Sequence, residues 1–118
     1  MNEKIFKERT KKLAIEILRL VEKLPRSISA DALAKQIVRS GTSIGANYRA
    51  ACRAKSTADM INKLKIVEEE SDETAYWLEL IVEAGYQSQE EVSPISKETN
   101  EIIAMTVASI KTLRARRA

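Results

Sequence analysis

The sequence has 118 residues, with 20 Lys or Arg against 17 Asp or Glu and a formal net charge of +3. Apolar residues make up 44% and charged residues 31%, a balance that supports a buried core and excludes disorder by composition. Three glycines and two prolines are too few for the turns of an all-β fold. The sequence has no histidine and one cysteine, which excludes an internal disulfide and most metal or nucleophile chemistry. We therefore expect no metal, no cofactor and no enzymatic activity.

Length and hydropathy limit how the chain is organised. A chain of this length predicts one domain, over residues 1–118. No apolar run reaches the roughly 18 residues of a membrane span, and no charged-then-apolar signal peptide opens the sequence. We expect a soluble cytoplasmic protein with no membrane partner.

The first segment predicts a helix over residues 3–24. Its apolar residues recur in steps of 7, 4, 3 and 4, which is the period of a helix and not of a strand. These residues are Phe6, Leu13, Ile17, Leu20 and Leu24. Three further segments of similar length follow. The sequence therefore predicts an all-α fold, an up-down antiparallel four-helix bundle with helices over about 3–24, 29–54, 57–84 and 93–116.

The second predicted helix, 29–54, combines a core face with a row of cations. Leu33, Ile37 and Ile44 share one side at about 100° per residue. The opposite side carries four cations that we call the basic row: Lys35, Arg39, Arg49 and Arg53. The row extends over about 27 Å, and we expect it to contact successive phosphates of RNA or DNA. Alternatively, it is an ordinary solvated face or is paired with acids of the third helix.

Two glycines lie within the second predicted helix, where each costs about 1 kcal/mol relative to alanine. Close packing against a neighbouring helix offsets this cost, because glycine lets two backbones approach. We assign this role to Gly41, Ser43, Gly45 and Asn47. The alternative is a ligand cradle, although a phosphate loop normally ends in Gly-Lys-Ser/Thr.

The third predicted helix, 57–84, begins with the capping-box spacing of Ser56 and Asp59 and ends before Gly85, a residue suited to a left-handed turn. Leu64 and Leu78 mark its core face. A second apolar stripe, away from that face, consists of Ile66, Trp77, Leu80 and Ala84. We expect this stripe to be the interface of a homo-oligomer. The alternative is one broad buried face with a few exposed apolar residues.

The third segment is also acidic. Residues 56–86 hold eight acids and two lysines, whereas residues 25–55 hold six Lys or Arg and one acid. The run from Glu69 to Glu73 matches the EExxE pattern with which all-α nucleoside triphosphate pyrophosphatases hold magnesium. Those enzymes need a further ExxD, and the run from Glu98 to Glu101 ends in the wrong acid. A magnesium-dependent pyrophosphatase therefore stays a third alternative on an incomplete pattern.

The fourth predicted helix, 93–116, begins with Ser93 as its cap and Pro94 at the first helical position. Alternatively, Ser88 begins the helix earlier and Pro94 kinks it. Its C-terminal end carries cations with no acid nearby, which we expect to assist phosphate binding. They are Arg114, Arg116 and Arg117. The alternative is that they only interact with the negative end of the helix dipole.

Two motifs together resemble the bacterial four-helix-bundle family named after proteins encoded in intervening sequences of 23S ribosomal RNA genes. They are the segments from Arg39 to Asn47 and from Ile61 to Ile81. The resemblance implies a cytoplasmic up-down bundle that assembles as a homopentamer and has no established catalytic activity. A related group, the accessory protein of diversity-generating retroelements, is a basic pentameric barrel that binds nucleic acid. Many family members continue the first motif with an Ala-Glu-Gly-like segment, whereas residues 48–53 here contain no acid and two added arginines.

The residues and the resemblance together lead to one functional prediction. We expect a non-enzymatic oligomer that presents its basic row, assisted by the C-terminal arginines, to RNA or DNA. The main alternative is a purely structural oligomer in which Glu68, Glu69 and Glu73 pair with the basic row.

Overall fold

The computed structural model describes residues 2–117 and contains four helices in this range. They are α1 (Glu3–Val21), α2 (Ile28–Cys52), α3 (Thr57–Glu83) and α4 (Gln89–Arg117). Residues from the start of α1, the end of α2, the start of α3 and the end of α4 line one cavity, so neighbouring helices run antiparallel. The helices form a rod of 49 × 22 × 21 Å. The prediction of an all-α four-helix bundle is confirmed.

The helix ends follow from local capping. Ser27 caps α2 by accepting a hydrogen bond from the Ala30 amide, at 3.2 Å, and Ser56 caps α3 in the same way from Asp59, at 3.1 Å. At the end of α3, Gly85 has a φ of 78°, and the Tyr86 amide donates to the Ile81 carbonyl at 3.0 Å. This backward hydrogen bond is the Schellman motif, for which a glycine in the left-handed region is favoured.

Helix α4 begins at Gln89 rather than at residue 93, so the structure follows the alternative start. The Ser88 hydroxyl accepts a hydrogen bond from the Glu91 amide, at 3.2 Å, and fills the N-terminal capping position. Pro94 consequently lies inside the helix. Because proline has no amide hydrogen, Pro94 cannot donate the helical hydrogen bond to the carbonyl of Glu90, four residues earlier.

The core contains the apolar faces that the sequence period predicts. Phe6, Leu13 and Ile17 from α1 are fully buried, as are Ile37 and Ile44 from α2. The core also includes Leu64 and Leu78 from α3 and Ile102 from α4. Hydroxyl groups within this core are not left unpaired, since each donates to a carbonyl one turn earlier in its own helix. Those residues are Thr10, Ser71, Thr74, Thr99 and Thr106.

Helices α1 and α2 pack closely at the two glycines of α2. A Cβ added to Gly41 would lie 2.6 Å from Ile17 Cδ1, and one added to Gly45 would lie 3.1 Å from Thr10 Oγ1. Gly41 and Gly45 therefore occupy positions where α1 leaves no room for a larger side chain. Ser43 and Asn47 instead hydrogen-bond to carbonyls of α2 itself.

Polar contacts also join α2 to α3 and α1 to α4. Ser40 of α2 and Thr74 of α3 share a buried hydroxyl–hydroxyl hydrogen bond of 2.8 Å. Arg9 of α1 donates two hydrogen bonds to Glu98 of α4, at 2.6 and 2.8 Å, and one to Glu101, at 3.1 Å. Arg9 thus joins the first and last helices of the bundle.

Candidate nucleic-acid interface

The four residues of the basic row are all exposed, three on α2 and Arg53 directly after its end, but they differ in their surroundings. Arg39 donates hydrogen bonds to Glu70, at 3.1 Å, and to Glu73, both on α3. The hydrogen bond to Glu73 raises the pKa of the Arg39 guanidinium. Lys35, Arg49 and Arg53 form no ion pair within 4.0 Å among the residues that the structure describes. The row is therefore not continuous, because α3 binds its second member.

The structure places Arg49 and Arg53 on a groove between α1 and α2 that the sequence alone did not reveal. Lys7 and Lys11 border the same groove from α1. We call this feature the basic groove, and it encloses about 470 Å³. Its floor consists of small residues: Thr10, Ala14, Thr42, Gly45 and Ala46. Two cations from α1 thus meet two from the C-terminal end of α2, Arg49 and the capping residue Arg53, at one concave surface.

Three of the four cations of the basic groove form no ion pair among residues 2–117. Lys7 contacts Glu3, one turn earlier in α1, at 3.7 Å, and its side chain is 37% exposed. An exposed pair of this kind contributes little to stability and is screened by salt. The groove is therefore available to an anion that brings several negative charges.

Sequence reasoning did not identify Lys7 and Lys11 as residues of this groove, because their position at it depends on packing between helices. Their spacing of one turn, with Thr10 and Ala14 on the same side, is the only signal in the sequence. That signal becomes informative when α2 is known to approach α1 at Gly45, since the approach brings the lysines and arginines to one groove.

Of the C-terminal arginines, Arg114 and Arg116 do not border the basic groove. Arg116 borders a second cavity at the end of the bundle, together with Glu3, Cys52 and Met60, and Arg114 is exposed. The side chain of Arg117 lies outside the described part of the chain. Because Glu3, Cys52 and Met60 come from the other three helices, these contacts show which helix ends meet at this pole of the rod.

The two poles of the rod differ in charge. The pole where Cys52 and Met60 meet carries exposed cations from several helices: Lys4, Arg53, Lys55, Arg114 and Arg116. At the opposite pole α3 ends and α4 begins, and exposed acids such as Glu83, Glu90 and Glu91 stand among cations such as Arg26. The antiparallel order of the helices therefore concentrates positive charge at one end.

Part of the predicted oligomer stripe lines an apolar groove between α2 and α3. Trp77, Leu80 and Ala84 border this groove from α3, together with Leu33 of α2 and Tyr86 of the following loop. The indole Nε1 of Trp77 is buried and has no hydrogen-bond partner in the described structure. Ile66 is half-buried and does not line the groove. We call the groove lined by Leu33, Trp77, Leu80, Ala84 and Tyr86 the Trp77 groove.

The acidic run on α3 does not form a metal-binding arrangement. Glu70 and Glu73 bind Arg39, and the Ser71 hydroxyl donates to the Val67 carbonyl at 2.7 Å. Within residues 2–117, no group of three or more His, Cys, Asp or Glu side chains lies close enough together to hold a metal ion. Glu68 and Glu69 form no ion pair with the basic row in that range.

Cys52 is a half-buried thiol beside Tyr48. Burial raises the pKa of the thiol, and the nearby Glu3 carboxylate raises it further. A cysteine is a nucleophile only as its thiolate, so this environment disfavours nucleophilic chemistry.

Comparisons with known proteins cover almost the whole chain. The family model described as 23S rRNA-intervening sequence protein matches residues 2–108. A crystal structure from Bacteroides thetaiotaomicron, described as a protein with unknown function from the S23 ribosomal protein family, is 40% identical. The similarity covers 94% of this chain and 99% of that chain, with a TM-score of 0.86. A comparison with curated proteins finds no match.

These matches confirm the resemblance found in the two sequence motifs. Across residues 2–117, no helix combines the length and the apolar character needed to cross a membrane.

The family model and the similar crystal structure both cover almost the whole chain. The chain therefore belongs to the family of 23S rRNA-intervening sequence proteins.

Proposed function

We propose that this chain is a non-enzymatic helical bundle of the cytoplasm that binds nucleic acid, with RNA as the first ligand to test, through its basic groove. The observation that carries this proposal is the convergence of Lys7, Lys11, Arg49 and Arg53, from two helices, on a floor of small residues. Cations around a narrow concave surface fit a phosphodiester backbone. RNA comes first because the name of the family refers to 23S rRNA.

The proposed binding depends on charge and not on base sequence. The groove offers ammonium and guanidinium groups, which contact phosphates and fix the position of a nucleic acid without reading bases. Each neutralised phosphate releases counterions, so the affinity falls steeply as salt rises. If each of the four cations neutralises one phosphate of an RNA duplex, a fourfold rise in salt weakens binding on the order of 100-fold.

The direct test measures RNA affinity by fluorescence anisotropy at two salt concentrations. We expect the double variant Arg49→Glu/Arg53→Glu to bind an RNA duplex at least about tenfold more weakly than the unchanged protein, because two phosphate contacts become repulsions. An affinity that does not respond to salt or to this variant contradicts the proposal.

The matched control is Lys65→Glu/Lys97→Glu, which changes the net charge equally on exposed positions of α3 and α4. Neither lysine lines the basic groove. We expect this control to change the affinity by less than about threefold, because long-range charge is screened at ordinary salt. Equal losses in both double variants would assign the binding to net charge and not to the groove.

We further propose that the chain self-associates through the Trp77 groove. Trp77 is half-buried, its Nε1 atom has no partner in the described structure, and Leu80 and Ala84 extend the apolar surface beside it. Aromatic residues are enriched where protein surfaces meet. The family resemblance adds the subunit number, a homopentamer.

One contact favours the alternative function, which is a purely structural oligomer without nucleic-acid binding. Arg39 is bound to Glu70 and Glu73, as that alternative expects for the basic row. The same RNA titration separates the two functions, because a purely structural oligomer has no salt-dependent affinity for RNA.

A further inference from the structure

We infer that the basic groove takes one strand of a double helix, so that the protein prefers duplex RNA to the same RNA unpaired. This inference rests on the proposed function and names the form of nucleic acid that the groove recognises. It depends on two features, which are the positions of the aromatic side chains and the hydrogen bonds made by the floor of the groove.

Among residues 2–117, no aromatic side chain borders the basic groove. The sequence contains one Phe, one Trp and three Tyr. Phe6 and Tyr48 are buried in the core, where their rings meet edge to face with centroids 4.3 Å apart. Trp77 and Tyr86 line the Trp77 groove, and Tyr76 is exposed on α3. All five therefore lie away from the surface where Lys11 and Arg49 meet.

Proteins that bind single strands combine a positive groove with aromatic side chains on which unpaired bases stack. The basic groove supplies only the first of these two elements. Bases of a bound strand would gain nothing from the protein, whereas in a duplex they remain stacked and paired with one another. A duplex also presents more charge per unit length and releases more counterions per neutralised phosphate than a single strand. Both effects favour the double helix.

The floor of the groove adds no donor for a base edge. The Thr10 hydroxyl donates to the Phe6 carbonyl, at 3.0 Å, and the Thr42 hydroxyl donates to the Val38 carbonyl, at 2.7 Å. Gly45 and Ala46 carry no polar side-chain atom. Recognition therefore depends on the cations on both sides of the floor. Lys7 and Lys11 are one helical turn apart, about 6 Å along the axis, and Arg49 and Arg53 have the same spacing. Such a surface follows the backbone of one strand and leaves its bases turned away.

The test compares a mixed-sequence RNA duplex of about 20 base pairs with one of its strands unpaired, both labelled and titrated with the full-length protein at two salt concentrations. We expect the duplex to bind about tenfold more tightly, with a dependence of log Kd on log salt about 1.3 times as steep as for the strand. This ratio of slopes does not depend on how many subunits bind. A strand that binds as tightly as the duplex, or more tightly, overturns the inference and leaves the proposed function intact.

Two variants complete the experiment. Arg49→Glu/Arg53→Glu is expected to weaken binding of both nucleic acids, because the same groove holds them. Tyr76→Ala, which removes the most exposed aromatic ring, is expected to leave the affinity for the single strand unchanged. If Tyr76→Ala weakens single-strand binding severalfold, bases stack on α3 and the inference is wrong. If neither nucleic acid binds, the proposed function itself fails.

Discussion

Individual cations on this surface are distinguished by their neighbours and not by exposure. Arg39 and Arg49 are both exposed on α2, but Arg39 lies beside Glu70 and Glu73 of α3. Arg49 faces α1 and shares a groove with Lys11. A guanidinium that already binds two carboxylates gains less from a phosphate, because those hydrogen bonds must first be lost. The availability of each arginine therefore depends on the adjacent helix.

Gly41 is the residue whose replacement should disturb α1–α2 packing most directly. Ile17 is fully buried and lies 2.6 Å from the position of an added Cβ, so a larger side chain must displace it. We expect Gly41→Val to lower the free energy of unfolding by about 2 kcal/mol, as overpacked cores do. Urea unfolding measures this loss.

The control for Gly41→Val is Ala46→Val, at an exposed position of the same helix. There only the lower helix propensity of valine acts, and we expect a loss of about 0.5 kcal/mol. Similar losses in the two variants would show that α1 does not restrict the space at Gly41.

Among the helices, α1 and α4 are joined by charged contacts from Arg9 to Glu98 and Glu101, and the contact with Glu98 is the shorter. Arg9 holds Glu98 with two hydrogen bonds, and the side chains of both residues are mostly shielded from solvent, at 28% and 25% exposed. A bidentate pair of this geometry is the kind of ion pair that contributes measurably to stability. This contact therefore links the N-terminal helix, which carries half of the basic groove, to the end of the chain.

The Arg9–Glu98 pair predicts a pH dependence of stability. The hydrogen bonds from Arg9 lower the pKa of Glu98 below its ordinary value of 4.5. A carboxyl group with a lowered pKa in the folded state contributes its full stabilisation above the unfolded pKa and loses it as pH falls through the folded pKa. We expect Glu98→Gln to lower the free energy of unfolding by about 1 kcal/mol at pH 7, with a smaller difference from the unchanged protein below pH 4.5.

Urea unfolding at pH 7, 4.5 and about 3 tests this dependence. Glu79→Gln is the control, since Glu79 is exposed on α3 and forms no ion pair within residues 2–117. A deficit of Glu98→Gln that stays constant across this pH range would mean that the carboxylate charge does not stabilise the bundle.

The helices themselves were predictable because each buries a face with helical period and begins at a small polar cap. Ser56 illustrates this, since a single cap precedes a long apolar pattern. The start of α4 was not decided by sequence, because Ser88 and Ser93 both have capping chemistry and only the packed structure selects between them. The basic groove depends on the packing of α1 against Gly45, a relation between distant segments that no local pattern contains.

In the whole molecule, the proposed association through the Trp77 groove can be tested with one substitution. Ala84 is exposed at the end of α3 and borders this groove, so Ala84→Lys adds charge there without entering the core. A cation is also favourable at a helix C-terminus, so folding should be maintained. We expect Ala84→Lys to lower the particle mass in light scattering towards the 13.2 kDa of one chain.

Ala104→Lys is the matched control, because Ala104 is exposed on α4 and lies outside the Trp77 groove. It should leave the particle mass unchanged. An Ala84→Lys protein with the same mass as the control would exclude the Trp77 groove as the interface.

The unequal poles of the rod have a consequence for how a ligand arrives. Positive side chains gather where Arg53 and Arg116 lie, whereas Glu83 and Glu90 reduce the positive charge at the far pole. Such a molecule carries a permanent electric dipole along its 49 Å length. An approaching polyanion exerts a torque on this dipole and turns the cationic pole toward itself before any contact forms. In dilute salt the protein would then be oriented when it meets the polyanion. Added electrolyte would lower the association rate constant before it weakened the bound complex.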